Sequence, residues 1–377
     1  MSLAEDGDLA KSAGDMNGAQ VYYFKAYGLE RNAAIYFLRK LNDEPTRSVL
    51  FRSAASLALQ CKLFREAEQL ICQGLAGDPP PELRVELREL YEQVHFQLFL
   101  DDSGLELAEG QVVVTLWGDQ IAPGFASCRE VIRRLSKTER LIYRTAARKI
   151  GITYDDRAEP SEEVRRNFKV YASLPMAASY AVVLRIAERD HQLALPFSVD
   201  AATVVSELLE CMDLYNQEKI DQLQTRIGDG PYLRNFMSLA HDLYPSTPDV
   251  SRVGFAGITA SGEKKTVELG SRPSFTANQL GETLTENANH GLPIRITGIL
   301  NFAASQTHTR HIKLKEASGK SHKIDVPEGM MADVVRPYFE ARVIADVTKY
   351  PDGSMRLEHV TADETTSPPE ESSQHSG

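Results

Sequence analysis

The stretch "FREAEQLICQGLAGDPPPE", residues 64–82, decides how the N-terminal part of the chain folds. It places a small residue, Ala67, on the apolar face of a helix, then stops that helix with Pro79, Pro80 and Pro81. Proline has no amide hydrogen to donate and its ring clashes with the preceding turn, so the chain must change direction there. A small residue at position 67 lets its helix approach the preceding one, at 48–61, more closely than a branched side chain would. Reading outward, Pro45 and Pro79 are 34 residues apart, and so are Ala33 and Ala67, and Phe37 and Ile71.

A 34-residue period with a small residue inside the second helix and a proline after it resembles the tetratricopeptide repeat. In the copy at 48–81, Phe51 stands at the large aromatic position, Ala55 and Ala67 at the small positions of the helix crossing, Gly74 at another small position, and Pro79 closes the repeat. Ala54 and Ala58 stand where the family usually carries leucine and tyrosine. The resemblance covers about 65 residues and implies a stack of helical hairpins over 19–100, a surface that takes protein partners. In "PELRVELRELYEQVHF", Leu83, Leu87, Leu90 and Val94 recur at helical spacing with charges between them, as in a helix that caps such a stack.

The chain has 377 residues, too many for one ordinary core, and three domains are expected. Its 42% hydrophobic and 25% charged residues are those of a globular protein, and no apolar run approaches the roughly 18 residues of a membrane span. The acidic, polar start has neither the apolar segment of a secretory signal nor the arginines of a transit peptide, so a cytoplasmic location is expected. Residues 1–18 and 364–377 are polar and acidic and are expected as disordered tails. Each carries −3 of the formal −11, leaving about −5 on the body and room for a local basic face. Cys61, Cys72, Cys128 and Cys211 show no C-x-x-C spacing and read as reduced, mostly buried thiols.

Beyond "LDDSG" the pattern mixes strands and helices. "QVVVTLW" reads as a strand, and "APG" as a turn. Ser127 with Glu130 reads as a capping box opening a long helix to Ile150, and 179–188 as a further extended run. Three helices and a hairpin, "RVGFAGIT" and "KKTVELG", complete an α+β domain over 101–275 without the strand–helix alternation of a doubly wound sheet. A linker helix at 276–290 leads to a module at 291–363 with three strands, a helix and two strands. That order resembles an OB-type five-stranded barrel. The expected fold class is thus multidomain α+β: a tetratricopeptide-like stack, a central α+β domain and a small OB-like barrel.

Two groups of residues are candidates for binding. Along the helix 127–150, Arg133, Lys137, Arg140, Arg144 and Arg148 fall in one sector opposite Val131, Leu135, Thr138, Ile142 and Ala146. Aligned cations of this kind suit phosphate or an acidic partner. The alternative is a solvated stripe, or one paired with the acids at 159–164. On the barrel, alternation in "RHIKLKEA" sends Ile312 and Leu314 inward and His311, Lys313 and Lys315 outward, with Lys323 outward on the next strand. Strands two and three are where OB modules bind nucleic acid or sugars. No aromatic residue lies between Phe302 and Tyr338 to stack on bases.

His308, His311 and His322 lack the spacing and companion ligands of a metal centre, and "AHD" at 240–242 lacks the partners of a phosphohydrolase site, with His241 and Asp242 off the helix's apolar face. Nucleophile–base, phosphate-loop and dinucleotide patterns are absent, so no metal, cofactor or catalytic residue is expected. The leading expectation is a non-catalytic adaptor binding proteins through its helical stack and accessory domains. The alternatives are an accessory nucleic-acid-binding protein using the basic helix and the barrel, and an enzyme of unrecognised type in the central domain.

Overall fold

The structure is a computed structural model that describes residues 3–13, 15–102, 107–118, 121, 125–156, 158–173, 180–188, 199–245, 249–270, 272–273, 291–306 and 309–363. The chain is a mixed α+β protein with helices and two β-sheets, and it divides into two compact units, Met1–Glu106 and Leu107–Gly377. Among the described residues, no helix is long and apolar enough to cross a membrane. Cys61 and Cys211 are buried, whereas Cys72 and Cys128 are exposed, so only half of the thiols follow the expectation of burial.

The first unit is helical: α1 (Leu3–Ser12), α2 (Met16–Tyr36), α3 (Thr46–Gln60), α4 (Phe64–Leu75) and α5 (Pro81–Asp102). Successive helices pack on one another, and α3 also meets α5. At the crossing of α3 with α4, Ala54, Ala55, Ala58 and Ala67 are fully buried around Phe51 and Ile71. A Cβ added to Gly74 would lie 3.1 Å from both Leu87 and Phe51, so this spot accepts nothing larger than glycine without a shift. Arg47, itself buried, donates to the Gly74 carbonyl at 3.1 Å and to the Gln73 carbonyl at 2.5 Å. Both carbonyls lie in the last turn of α4, where amide partners run short and a cation is favoured, and the Gln73 carbonyl also accepts from the Ala76 amide at 3.3 Å.

Two expectations change in this unit. Residues 3–12, read as part of a disordered tail, form α1, with Gly7 packed against the Tyr23 ring and Asp8 accepting a hydrogen bond from the Tyr23 hydroxyl at 2.6 Å. Leu3, Ala4 and Ala10 supply enough apolar contact to dock the helix, which average composition concealed. A two-helix repeat ending at Pro45 needs a turn before it, but residues 16–36 run as one helix capped by Asp15, which accepts from the Gly18 amide at 2.8 Å. The tail at 364–377 lies outside the described residues.

In the second unit, β1 (Gln111–Trp117), β2 (Phe168–Ala172), β3 (Tyr180–Glu188), β4 (Arg252–Ile258) and β5 (Lys264–Leu269) form an antiparallel sheet in the order β2-β3-β1-β4-β5. The helices of this part are α6 (Cys128–Lys149), α7 (Glu162–Asn167), α8 (Ala201–Asn216), α9 (Ile220–Ile227) and α10 (Gly230–Leu243). Of these, α8 lies along the sheet and α6 packs on α8 and α10. Ser127 does precede α6 as its cap residue, but its hydroxyl makes no capping bond, and Glu130 is buried in ion pairs instead of closing a capping box. The turn at 122–124 and the linker helix at 276–290 lie outside the described residues.

The remaining strands, β6 (Leu292–Gln306), β7 (Thr309–Lys315), β8 (Ser321–Asp325), β9 (Arg342–Lys349) and β10 (Met355–Ala362), close into a barrel in the order β10-β8-β7-β6-β9. The barrel is sealed by the antiparallel pair β9–β10 and a parallel contact of β8 with β10. Between β8 and β9, where a helix was expected, the chain makes one π turn, Met331–Val335, and one 3-10 turn, Arg336–Tyr338. Pro337 has no amide hydrogen to continue an α-helix. The central sheet and the barrel, expected as separate domains, belong to one unit and one continuous core that runs from Val112 and Leu208 to Leu314 and Val347.

The packing at Ala67 yields a prediction. Ala67→Leu overfills the α3–α4 crossing and is expected to cost about 1–3 kcal/mol. Chemical denaturation of the full chain should show the loss in the transition of the helical unit, and an unchanged transition would mean that α4 is free to move away from α3.

Candidate functional site

The five cations of α6 do not form a free face, which corrects the expectation of an anion-binding stripe. Lys137 and Arg144 are buried, and each cation meets an acid of its own unit. From the N-terminal end of α6, Arg133 pairs with Glu130 at 3.2 Å and Lys137 with Asp242 of α10 at 2.6 Å. Further along, Arg140 reaches Asp333 of the π turn at 2.8 Å and Glu159 at 3.3 Å, Arg144 reaches the other oxygen of Asp333 at 2.6 Å, and Arg148 pairs with Glu207 of α8 at 2.7 Å. Of the acids at 159–164 anticipated as partners, Glu159 alone serves the stripe among the described residues. The cations do lie opposite the apolar face, but helices, loops and the barrel cover both sides of α6.

The pairs to Asp333 hold the barrel to α6 and α10. Asp333 is fully buried and takes a third bond from the Asn235 amide at 3.1 Å. Arg144 also donates to the Ala158 carbonyl at 2.8 Å and lies 4.5 Å over the Tyr154 ring. Beside it, Asp156 accepts from the Gly329 and Met331 amides, each at 3.2 Å, and pairs with Arg310 of β7 at 2.7 Å. The Gly329 carbonyl accepts from Tyr154 at 3.0 Å and from Asn235 at 2.9 Å. Gly329 has φ +98°, and a Cβ there would run into the Pro231 carbonyl of α10, so only glycine lets the barrel come this close.

A second buried group joins α10 to β10. The His359 imidazole meets Asp242 at 2.5 Å and lies 4.8 Å from the His241 ring, whose Nδ1 is 3.4 Å from the Tyr215 hydroxyl. The sequence placed Asp242 off the buried face of α10, and the structure corrects this, because the side opposite Leu233 is covered by α6 and the barrel. Burial alone would raise the Asp242 carboxyl, but the Lys137 ammonium and the His359 ring outweigh it and hold the group well below the ordinary carboxylate range. Burial, then the neighbouring His359, pushes His241 down to about 4. With Asp242 committed to Lys137, this group has the character of an internal tie, and no metal-binding cluster occurs among the described residues.

The barrel residues stand otherwise. Ile312 and Leu314 are buried, Lys313, Lys315 and Lys323 are exposed, and His311 is half-buried, as the alternation implies. Register puts Phe302, Lys313 and Lys323 in one row across three strands, with Ile299, Lys315 and Ser321 on one side of it and Ala304, His311 and Asp325 on the other. Phe302 is 39% exposed, its ring is 5.3 Å from that of His311, and the Lys313 ammonium stands 5.0 Å from it. Simple alternation from Ile296, Gly298 and Leu300 would turn Phe302 inward. A bulge between Leu300 and Phe302 reverses the phase and brings the ring to the outer face. His308 lies outside the described residues.

No family model, curated protein or solved structure matches this chain. The site therefore stands on its own geometry. Among the described residues, Lys313, Lys315 and Lys323 form no ion pair, and Lys313 is directly opposite Lys323. The helical unit adds a surface that the sequence did not flag. On α2, Val21 and Phe24 are 53% and 58% exposed and Ile35 is exposed with them, although apolar side chains on a packed helix usually turn inward.

Two expected outcomes follow from the buried pairs. Replacing Arg140, Arg144 and Arg148 together by Gln leaves buried Asp333 without a cation and Glu207 with Arg226 in place of two arginines, and should lower the stability of the second unit by about 3–5 kcal/mol, where a solvated stripe would lose almost nothing. Denaturant unfolding followed by circular dichroism measures the difference. The second concerns pH. An unfolded histidine protonates near 6.5, whereas folded His241 resists down to about 4. The unfolded chain therefore binds the extra proton, and stability falls as pH drops from about 6.5 to 4, at up to about 1.4 kcal/mol per unit. Asp242 and Glu207, both held below their ordinary values, add a further loss below about pH 4. His241→Phe should flatten the first slope and leave the second in place.

Proposed function

We propose that this is a non-catalytic binding protein whose barrel is an OB-type module taking single-stranded nucleic acid on its outer face. The observation that carries the reading is the row Phe302, Lys313, Lys323. Like charges directly opposite each other on a sheet cost stability, so an unpaired Lys313–Lys323 couple is a burden that a bound polyanion relieves. An exposed ring beside them supplies a stacking platform that any base can use, worth about 1–3 kcal/mol per base. The strand order, with its parallel closure and the short helical turns before β9, supports the OB reading. The basic helix has no part in it, because its cations are spent on internal acids.

The adaptor reading is a second proposal, favoured by the exposed apolar side chains of α2. The small-residue crossing of α3 and α4, followed by Pro79, supports a tetratricopeptide-like hairpin for this unit, and such stacks serve as protein-binding surfaces.

Fluorescence anisotropy with labelled single-stranded and duplex oligonucleotides at two salt concentrations tests the barrel. Single strands should bind more tightly, with an affinity that falls as salt rises. Phe302→Ala should weaken binding about 5- to 150-fold, and Lys313→Gln with Lys323→Gln should reduce the salt dependence. Absence of binding at low salt, or binding that ignores these residues, would remove the nucleic-acid reading.

A further inference from the structure

On helix α2, Val21, Phe24 and Ile35 share one sector of the exposed face, and Tyr36, Leu29 and Tyr22, also exposed, continue the apolar surface beyond Lys25. At 100° per residue, Val21, Phe24, Gly28 and Ile35 fall within about 60° of arc. Lys25 and Asn32 border the stripe on one side and Arg31 on the other, all exposed, while Glu30 lies on the opposite side of the helix. The sector around Gly28 is thus apolar and flanked by Lys25 and Arg31, with no acid beside it on the helix.

Gly28 lies at the middle of this stripe. Glycine inside a helix costs roughly 0.5–1 kcal/mol relative to alanine. Elsewhere in the unit that cost has an internal reason, as at Gly74, where a Cβ would press on Leu87 and Phe51. At Gly28 an added Cβ would meet nothing within 4 Å, so nothing inside the unit needs the residue to be small. The glycine leaves a shallow notch between Val21, Phe24 and Ile35, into which a side chain from outside can seat.

We infer that this stripe is the docking site for an acidic amphipathic helix of a partner protein, an inference that deepens the adaptor reading and rests on it. An apolar side chain of the partner fills the notch over Gly28, its neighbours cover Val21, Phe24 and Ile35, and its flanking carboxylates meet Lys25 and Arg31. Charge complementarity selects this occupant. A second copy of the chain would set Lys25 and Arg31 against the same cations, and the tail at 364–377 is acidic but has no large apolar side chain to fill the stripe. A bilayer has no use for a notch that seats one side chain.

The test uses the full chain and a labelled synthetic helix of about 20 residues with leucines along one face and glutamates on both flanks, beside a counterpart with lysines for the glutamates. The acidic peptide should bind, more weakly at high salt, and the basic one should not. Gly28→Leu, which fills the notch, and Phe24→Ser should each weaken binding at least tenfold. Gly28→Leu should leave the melting temperature unchanged or higher, so that lost binding is not lost folding. Acidic-peptide binding that is indifferent to both substitutions overturns the site. Binding of the basic peptide with the same dependence on Gly28 overturns the acidic assignment but keeps the adaptor reading, whereas binding of neither peptide overturns both. Dimerisation abolished by Gly28→Leu, or capture by phosphatidylserine vesicles dependent on Phe24, would assign the stripe to another occupant and overturn the proposal.

Discussion

A carboxylate without solvent contact, Asp333, is held by Arg140, Arg144 and Asn235, and the seating of the barrel on α6 and α10 depends on this group. Each ion taken out of water costs several kcal/mol, and attraction between opposite charges returns that only where the geometry is good and the remaining polar atoms are also satisfied. Around Asp333 these conditions are largely met. One oxygen takes Arg140, the other takes Arg144 and Asn235, and the rest of the Arg144 guanidinium is occupied by the Ala158 carbonyl and the Tyr154 ring. Gly329 and Asp156 then fix the turn that precedes Asp333. An apolar contact of equal area could give comparable stability, but it would tolerate sliding. A set of directional pairs between α6, α10 and the barrel admits one arrangement.

The parts of this fold that the sequence made legible are those set by local rules. The β-branched run at 111–117, the hairpin at 252–269, the turn forced at Pro79 and the individual strands of the barrel all follow from periodicity and turn chemistry over fewer than about twenty residues. The parts that escaped depend on what arrives from elsewhere in the chain. The angle of each arginine on α6 was readable, but its partner was not, since Asp333 and Glu207 come from 189 and 59 residues away. Helical periodicity assigns sides to a helix and does not say whether a side faces water. Phe302 was hidden for a different reason: one bulge residue reverses the alternation, and neither Leu300 nor Phe302 signals it. Helix α1 was missed because the composition of residues 1–18 is polar on average, while the few residues that dock, Leu3, Ala4 and Ala10, lie on one side.

Accounting for the internal pairs changes what the surface can do. Once the cations of α6 are assigned to Asp242, Asp333 and Glu207, the positive charge left for a partner includes two small groups, Lys313, Lys315 and Lys323 on the barrel, and Lys25 and Arg31 on α2. Each group stands beside an exposed apolar side chain, Phe302 in one case and Phe24 in the other. On an acidic chain such islands act locally, because at physiological salt the field of distant carboxylates is screened within about 8 Å. A partner that touches the island meets its cations before it meets the net charge.

The two islands differ in what their geometry can recognise. On the barrel, side chains stand on a pleated surface with two-residue periodicity, so Phe302 and the lysines form rows across the strands, suited to an extended chain with repeating charge. On α2 the same kinds of residue follow helical periodicity along a single axis, with a notch at Gly28 that fits one side chain of a rod laid alongside. An extended polyanion would cross the stripe of α2 without filling it, and a helix laid on the barrel face would leave the row of lysines largely unmatched. Repeat distance, more than charge, therefore separates the two surfaces, and it is set by whether the residues that carry the charge sit on a strand or on a helix.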